Sequence, residues 1–493
     1  MNVVVIGDIG WRYLYHLGDE AMTEAAIDAL RARGINDITL VAGQPEVSEA
    51  FYQLPCVSRA GFRSSWTRDR MDDHLSAVTD VLARPDLPER SIYSAIRDCD
   101  VVLIAGGGNM NSNDYHLLYE RVATKRIAEH FEKPLYVTSQ TIGPRLTDGD
   151  RAKVFEVVDY ARAVGAREPT TAALLRGGAA RPEFIFSTLD DATLLTSDDA
   201  ARTAVTELAG DRPFVVASFT HHGGSMWADE ETYHSDIAAL VRDVATAHDV
   251  DVLLAPHAGS LDPGETTRDQ HGNEAIANLA GTDRVRAIRM ITAREDVALI
   301  ERARLSLSTR YHPLVFASAV AAPAVAIANS YYSSIRMRGA MSNVGLQAFV
   351  LPTTSLDLVR DAIAEAITPD QQLRDQLAAT QESALRLQNR WWDALVDSMR
   401  SGMDVDFENL PQPPAYSPRG AWTAANETRV PMFDRYSKTA DERKFLAVEV
   451  DRLIAERDAL RASLSQARDD LDRSRNRKVV RVIDKVTRIL GRR

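Results

Sequence analysis

Short apolar runs alternate with amphipathic stretches over roughly the first 400 residues. The apolar runs are continuous, which is typical of parallel β-strands covered on both faces. Stretches such as Glu20–Arg33 and Asp150–Ala161 have the period of helices. The predicted strands form two series: Val3–Ile6, Ile38–Ala42, Val101–Ala105, Leu135–Ser139, Ala163–Gly165 and Phe184–Phe186, and then Phe214–Ser218, Asp251–Ala255, Val285–Ile288, Leu305–Ser308 and Ala324–Ala328.

Each series predicts a doubly wound, Rossmann-like α/β domain, because strands and helices alternate within it. We expect an N-terminal domain over residues 1–196 and a second over residues 212–350, facing each other across a cleft. A helix and a connection are predicted between them, over Thr196–Pro213. Closing helices are expected over residues 356–403.

The C-terminal part of the chain has a different pattern. Residues 404–438 are rich in proline and polar residues with little periodicity, which predicts a linker. Apolar residues then recur at alternating spacings of four and three over residues 439–474, with Arg457 intruding once, which is typical of a coiled-coil heptad seam. We expect a short parallel homodimer; the alternative is an amphipathic helix packed on its own domain. The seam positions are Leu446, Val450, Leu453, Arg457, Leu460, Leu464, Ala467 and Leu471.

The last segment, residues 475–493, holds eight basic residues and one acid, a net charge of +7. Its apolar residues recur at helical spacing, which predicts a basic amphipathic helix suited to an anionic membrane surface. The alternative is a solvated end that docks on the acidic body of the same protein. The apolar positions are Val479, Val482, Ile483, Val486, Ile489 and Leu490.

Composition narrows the function classes. The net charge of −12 argues against a general nucleic-acid binder. Cys56 and Cys99 are the only cysteines, which excludes a disulfide scaffold and fits a reducing cytoplasm. The opening run MNVVVIGDIG predicts a first strand rather than a signal peptide, and no apolar run reaches the roughly 18 residues that a membrane span needs. We expect a cytoplasmic protein, peripheral at the inner membrane face.

The stretch STRYHP, Ser308–Pro313, places Arg310 and His312 where a predicted strand ends and a helix begins. A helix N-terminus favours anions, an arginine can grip a carboxylate or phosphate, and a histidine can move a proton near neutral pH. Ligands gather at strand ends in a parallel sheet, which favours a functional site here. The alternative is a helix start with two solvent-exposed polar side chains.

Glycines mark two more candidate positions. Gly106–Gly108 follow a buried strand, where the backbone can approach a ligand closely, although a tight turn also explains them. Gly18 precedes Asp19 at the start of a helical pattern, where Asp19 is explained equally well as an N-cap.

Arg167 follows another predicted strand, on the side where a cleft would lie. No metal is expected, because the four residues that could be assembled into a metal site match no ligand spacing. These four residues are His221, His222, His257 and Asp262.

Seven stretches, in this order, resemble the polysaccharide pyruvyl transferase family, and together they cover about residues 1–350. The matching stretches are GDEAM (Gly18–Met22), GGGN (Gly106–Asn109), SQTIGP (Ser139–Pro144), AREPTTAALL (Ala166–Leu175), LDDATLL (Leu189–Leu195), STRYHPLVFA (Ser308–Ala317) and SYYSSIRMRG (Ser330–Gly339).

The resemblance implies a GT-B-like pair of domains and transfer of the enolpyruvyl unit of phosphoenolpyruvate to a sugar, commonly as a cyclic pyruvate ketal. It implies that Arg167 and Arg310 hold the carboxylate and phosphate of this donor substrate, with no cofactor. His312 is expected to act as the general acid, and Asp19 to accept a proton from the acceptor hydroxyl. The implied substrate-binding residues are Gly106, Gly107, Gly108, Asn109, Gln140, Arg336 and Arg338.

The chain departs from the family pattern at three places. Ser112 stands where many members have aspartate, with Asp114 the nearest acid; Arg336 or Arg338 replaces a common lysine; and the extension WRYLYH lies between Gly10 and Leu17. The expected acceptor is a cell-envelope glycan or its lipid-linked precursor. The alternatives are a GT-B glycosyltransferase that uses a nucleotide sugar, and a non-catalytic envelope-assembly scaffold.

Overall fold

A computed structural model of the chain describes residues 1–11, 14–221, 225–262, 264–265, 268–409 and 413–491. The chain divides into two compact units, Met1–Asp434 and Arg435–Arg493. The first unit contains two parallel sheets, each built from strands and helices that alternate along the chain. The fold class predicted from the pattern is confirmed.

The first half of this unit carries the larger parallel sheet, in the strand order β4-β3-β1-β5-β7-β8-β9, with β6 paired to β7. Val3 and Val5 of β1 join one apolar cluster while Val4 and Ile6 join another, so the sheet is covered on both faces. The strands are β1 Asn2–Ile6, β2 Tyr15–His16, β3 Asp37–Ala42, β4 Cys56–Ser58, β5 Val101–Ile104, β6 Gly107–Met110, β7 Leu135–Ile142, β8 Ala163–Ala166 and β9 Ile185–Ser187.

The second half carries a sheet in the order β13-β11-β10-β14-β15-β16, again all parallel. This central β10–β14 pair brings the end of β14 to the middle of the sheet edge, which is where a ligand site is expected. The strands are β10 Phe214–Ser218, β11 Asp251–Leu254, β12 Ala258–Gly259, β13 Val285–Ala287, β14 Leu305–Ser308, β15 Ala324–Ala328 and β16 Val350–Pro352.

Helices connect these strands in both halves, and the last three follow the second sheet. They are α1 Leu17–Ala32, α2 Pro45–Tyr52, α3 Arg68–Leu82, α4 Ile92–Asp98, α5 Tyr115–His130, α6 Asp148–Tyr160, α7 Pro169–Arg176, α8 Asp199–Ala209, α9 Glu230–His248, α10 Arg268–Ala280, α11 Ala293–Arg302, α12 His312–Ala319, α13 Tyr331–Ser342, α14 Leu356–Ile367, α15 Gln371–Ser401 and α16 Trp422–Leu490.

Two connections join the halves of the first unit. The short strand β2 pairs antiparallel with β12, and the Leu17 backbone N–H donates to the His257 carbonyl at 2.9 Å. Helix α15 returns to the first half, where the buried indoles of Trp391 and Trp392 donate to Thr138 and Asp191 at 2.9 Å each.

The predicted linker over residues 404–438 is wrong in its second part, because α16 begins at Trp422. Trp422 and Phe433 are 3% exposed and belong to the core of the first unit. Proline and polar residues hide this helix in the sequence, since it carries Pro431 in its interior.

The second unit, taken by itself, is helical from its first residue to Leu490. Its predicted seam leucines and valines are between 50% and 64% exposed. Among the described residues, no helix has the length and hydropathy needed to cross a membrane.

Candidate active site

Arg167 lies directly after β8 and is 1% exposed. Its Nη1 donates to Asp190 Oδ2 at 2.5 Å, and its Nε donates to Thr141 Oγ1 at 2.7 Å and to Glu168 Oε1 at 3.1 Å. Burial alone would lower the pKa of Arg167, but Tyr311, Asp190 and Glu168 around it raise that pKa above its usual value. The guanidinium is therefore a permanent buried cation.

A second guanidinium, that of Arg336 on α13, shares an aromatic ring with Arg167. The Cζ atoms of Arg167 and Arg336 lie 4.4 and 5.1 Å from the centroid of the Tyr311 ring, and Arg336 Cζ is also 4.3 Å from the Tyr332 ring. Arg336 Nε is buried without a hydrogen-bond partner among the described residues. Both guanidiniums therefore contact the Tyr311 ring, and Arg336 keeps one buried N–H group that no described residue accepts.

The backbone of the glycine triplet, Gly106–Gly108, lies close to the guanidiniums of Arg167 and Arg336 at Gly108. A Cβ atom built on Gly108 would lie 2.7 Å from Tyr332 Oη, 3.6 Å from Arg167 Nη2 and 3.8 Å from Arg336 Nη1. A tight turn at this point is not what the structure contains: Gly107–Met110 forms strand β6. Glycine is required because a side chain at position 108 would fill the space between the two guanidiniums.

His312 is the first residue of α12, as its position in STRYHP predicts. Its ring packs on Gly18, where a Cβ atom would lie 1.9 Å from His312 Nδ1, so close approach rather than an unusual backbone angle explains this glycine. His312 Nε2 lies 3.7 Å from Asp190 Oδ2 and is buried without a hydrogen-bond partner among the described residues.

Burial, together with the charges of Arg167 and Arg336, holds the pKa of His312 well below its usual value of 6.5. The imidazole is therefore neutral at pH 7. This argues against the expectation that His312 is a general acid, because the group has no extra proton to give.

Arg310 lies between β14 and α12, where its backbone N–H donates to Ser308 Oγ at 2.8 Å. Its guanidinium donates to Asp269, whose Oδ2 also accepts the His257 and Ala258 backbone N–H groups at 3.1 and 2.8 Å. Asp269 thus compensates the charge of Arg310, as Asp190 and Glu168 compensate that of Arg167. Arg310 Nε, like Arg336 Nε, is buried without a hydrogen-bond partner among the described residues.

Asp19 is not the N-cap of α1: His16 occupies that position, and Asp19 lies in the first turn. Asp19 Oδ2 lies 2.6 Å from His16 Nδ1, and the His16 side chain is 45% exposed. Burial alone would lower the pKa of His16, but the Asp19 carboxylate raises it above the usual value of 6.5. Gly18, which packs on the His312 ring, lies between His16 and Asp19 in the chain, so this pair is close to His312.

Of the remaining predicted substrate-binding residues, some have buried polar atoms without a partner and others make contacts within the fold. Asn109 Nδ2 and Gln140 Oε1 are buried without partners among the described residues, whereas Gln140 Nε2 donates to the Ala105 carbonyl at 2.6 Å. Arg338 instead forms an ion pair with Asp434 at 2.8 Å. Gly106 packs on Met22, with a built Cβ atom 2.8 Å from Met22 Sδ.

Ser112, the departure from the family pattern, has a structural role. Its hydroxyl donates to Asp150 Oδ2 at 2.6 Å and accepts the Thr147 backbone N–H at 2.9 Å. Asp114 precedes α5, and burial raises its pKa.

Sequence reasoning missed four residues of the site: Asp190, Tyr311, Tyr332 and His16. Asp190, Tyr311 and Tyr332 lie inside the quoted family stretches, but only contacts between distant segments reveal their roles. His16 lies in the WRYLYH extension, of which Arg12 and Tyr13 fall outside the described residues. No metal-binding group of His, Cys, Asp or Glu occurs in the part of the chain that the structure describes, and His222 lies outside that part.

A sequence model of the polysaccharide pyruvyl transferase family matches residues 16–331. The chain belongs to this family. The match runs from His16 to the start of α13, so it contains six of the seven stretches in full and leaves Tyr332 and Arg336 outside it. No curated protein matches the chain.

Solved structures support the GT-B-like fold of this family member. MnaA from S. aureus in a co-structure with UDP has 13% identity and a TM-score of 0.55, over 85% of this chain and 100% of that one. A putative UDP-N-acetylglucosamine 2-epimerase from Listeria monocytogenes has 15% identity and a TM-score of 0.57, over 83% and 99%. UGT89C1 from Arabidopsis thaliana, complexed with quercetin, has 12% identity and a TM-score of 0.51, over 81% and 99%. At such identities the likeness concerns the fold alone.

Proposed function

We propose that the protein transfers the pyruvyl group of phosphoenolpyruvate to hydroxyls of a cell-envelope glycan or its lipid-linked precursor. The observation that carries this proposal is the pair of guanidiniums, Arg167 and Arg336, that flank Tyr311 and face the bare backbone of Gly108. Phosphoenolpyruvate is a small dianion or trianion with a carboxylate and a phosphate, so one buried and one partly buried cation suit it better than they suit a neutral sugar.

Arg167 and Arg336 are assigned the primary grip on the donor. We assign Arg310 a secondary role, because Arg167 and Arg336 are the two guanidiniums that meet at the Tyr311 ring beside Gly108. Phosphoenolpyruvate is the donor substrate, and no cofactor is proposed.

The two histidines are assigned opposite proton transfers. A neutral His312 accepts the proton of the attacking acceptor hydroxyl, while a protonated His16, oriented by Asp19, gives a proton to the methylene carbon of phosphoenolpyruvate. The hydroxyl oxygen bonds to C2, the C2–O bond to phosphate breaks, and inorganic phosphate leaves. A second hydroxyl then attacks C2 and gives up its proton to the released phosphate, which closes the cyclic ketal.

A nucleotide-sugar glycosyltransferase remains a distinct candidate, since the S. aureus structure holds UDP in a similar fold. A non-catalytic scaffold is the other. Calorimetric titration separates all three: the purified protein is titrated with phosphoenolpyruvate and, in parallel, with UDP-N-acetylglucosamine.

Saturable binding of phosphoenolpyruvate, with none of the UDP-sugar, is the result we expect. Binding of the UDP-sugar alone would contradict the proposal and favour the glycosyltransferase hypothesis. Binding of neither ligand, in a sample whose thermal unfolding is cooperative, would favour the scaffold.

A further inference from the structure

Helix α16 carries two apolar surfaces, and they lie on different sides of the helix. The first is the heptad seam, which ends at Leu471. Continuing its spacing of three and four residues gives the next seam positions, and every one of them is polar or basic. These positions are Ser474, Lys478, Arg481, Lys485 and Arg488.

The second surface, called here the outer face, starts beyond the end of the seam. At about 100° per residue, Val479, Val482, Ile483, Val486 and Leu490 fall on one side of the helix. In heptad terms Val479 and Val486 occupy position b and Ile483 and Leu490 position f, which point away from a coiled-coil partner, while Val482 occupies position e, beside the seam. These residues are between 47% and 69% exposed, and the helix runs without a break to Leu490.

This change of side excludes a second copy as the partner of the outer face. If the seam pairs two chains, the positions that would continue it bring four basic residues of each chain towards those of the other, which is repulsive. The same rotation turns the valines and isoleucines of the outer face away from the dimer axis. They therefore need a different partner.

Charge decides what that partner is. Six basic residues and one acid, Asp484, accompany the outer face between Arg475 and Gly491. An apolar stripe of this width beside a cluster of lysines and arginines matches the boundary between acyl chains and anionic headgroups, where long basic side chains extend to the phosphates.

We propose that the outer face of residues 475–491 binds the surface of an anionic phospholipid bilayer, while the seam up to Leu471 pairs two chains. Pairing would deliver two such helices to one bilayer, which strengthens binding without any new contact. This inference does not depend on the proposed reaction, since neither surface contributes to the Arg167 site.

The test uses the full-length protein in flotation with vesicles of phosphatidylglycerol and phosphatidylcholine. The variant Val482→Ser/Val486→Ser removes apolar area from the outer face and leaves the charge unchanged. We expect its partition onto the vesicles to fall by about tenfold or more. The matched control, Leu460→Ser/Leu464→Ser, alters the seam by a comparable amount and is expected to lower the molecular mass to that of a monomer in sedimentation equilibrium.

Unchanged flotation of the Val482→Ser/Val486→Ser variant would overturn the lipid proposal. So would dissociation of the dimer by that variant, because the outer face would then be occupied by a second copy. Equal binding to pure phosphatidylcholine vesicles would overturn the role of the basic residues.

Discussion

The Arg167 site and the outer face of α16 use charge in opposite ways. In the site, Arg167 is buried and Arg336 is partly buried, both stack on Tyr311, and the Asp190 carboxylate lies 2.5 Å from Arg167. On the outer face, apolar side chains are about half exposed and the basic groups lie in solvent. Buried charge has a large desolvation cost and is retained where chemistry or tight recognition needs it, whereas exposed apolar area indicates a partner.

The largest effect is expected from Arg167→Met. This change leaves Asp190 and Glu168 buried without their cation, which costs about 3–5 kcal/mol in a buried ion-pair network. Urea denaturation followed by circular dichroism should show that loss. A free energy of unfolding within about 1 kcal/mol of wild type would mean that the charge is not part of a tight network.

The next largest effect concerns His16. With His312 neutral and His16 protonated, the rate should fall on the acid side as His312 gains a proton and on the alkaline side as His16 loses one. His16→Gln should lower kcat by about 10²–10⁴-fold and abolish the alkaline limb, while phosphoenolpyruvate affinity stays within a few-fold. A retained alkaline limb in that variant would remove His16 from the mechanism.

A smaller effect is expected from Glu20, a buried carboxyl of α1 whose pKa is raised by burial from 4.5 to about 7. The folded state holds this proton more tightly than the unfolded state does. The contribution of Glu20 to the free energy of unfolding is therefore complete below pH 4.5 and is lost as the pH rises to about 7. Glu20→Gln, which keeps the shape of the side chain, should reduce this pH-dependent loss of unfolding free energy by up to about 3 kcal/mol. Thermal unfolding at pH 5 and pH 8 measures it; parallel slopes for both proteins would contradict the assignment.

The smallest effect belongs to the seam. Arg457 occupies a seam position, where a buried charge weakens pairing. Arg457→Leu should strengthen dimerisation by roughly tenfold in Kd, or about 1.4 kcal/mol. Sedimentation equilibrium at several concentrations gives this value, and Arg461→Leu, one residue off the seam, is the matched control. Equal effects of the two substitutions would argue against the heptad register.

Much of the fold was predictable because apolar runs identify buried parallel strands directly. The Val3–Ile6, Val101–Ala105 and Leu305–Ser308 predictions all coincide with strands to within a residue. The strand Gly107–Met110 was not predictable, since glycine disfavours strands and only its pairing with β7 stabilises it. The start of α16 at Trp422 was hidden for a related reason: burial against the second half outweighs weak local propensity.

The residues of the site that follow strand ends were predictable from the sequence, whereas the ion pairs that its arginines form were not. The position of Arg310 and His312 after β14 follows from sheet topology, which the sequence pattern reveals. Which arginine is free does not follow, because it depends on Asp269 and Asp434, each at least 41 residues from its partner in the chain. The same holds for the pKa of His312, which is lowered by burial and by two arginines from distant segments.

The most direct test of the account compares two arginines on one helix. Arg336 stacks on Tyr311 and has a buried Nε to which no described residue offers an acceptor, whereas Arg338, two residues along α13, is paired with Asp434. We would titrate phosphoenolpyruvate into Arg336→Ala and Arg338→Ala by calorimetry. The account predicts affinity at least about tenfold weaker for Arg336→Ala and within about twofold of wild type for Arg338→Ala. Wild-type affinity in Arg336→Ala, or an equal loss in both variants, would contradict it.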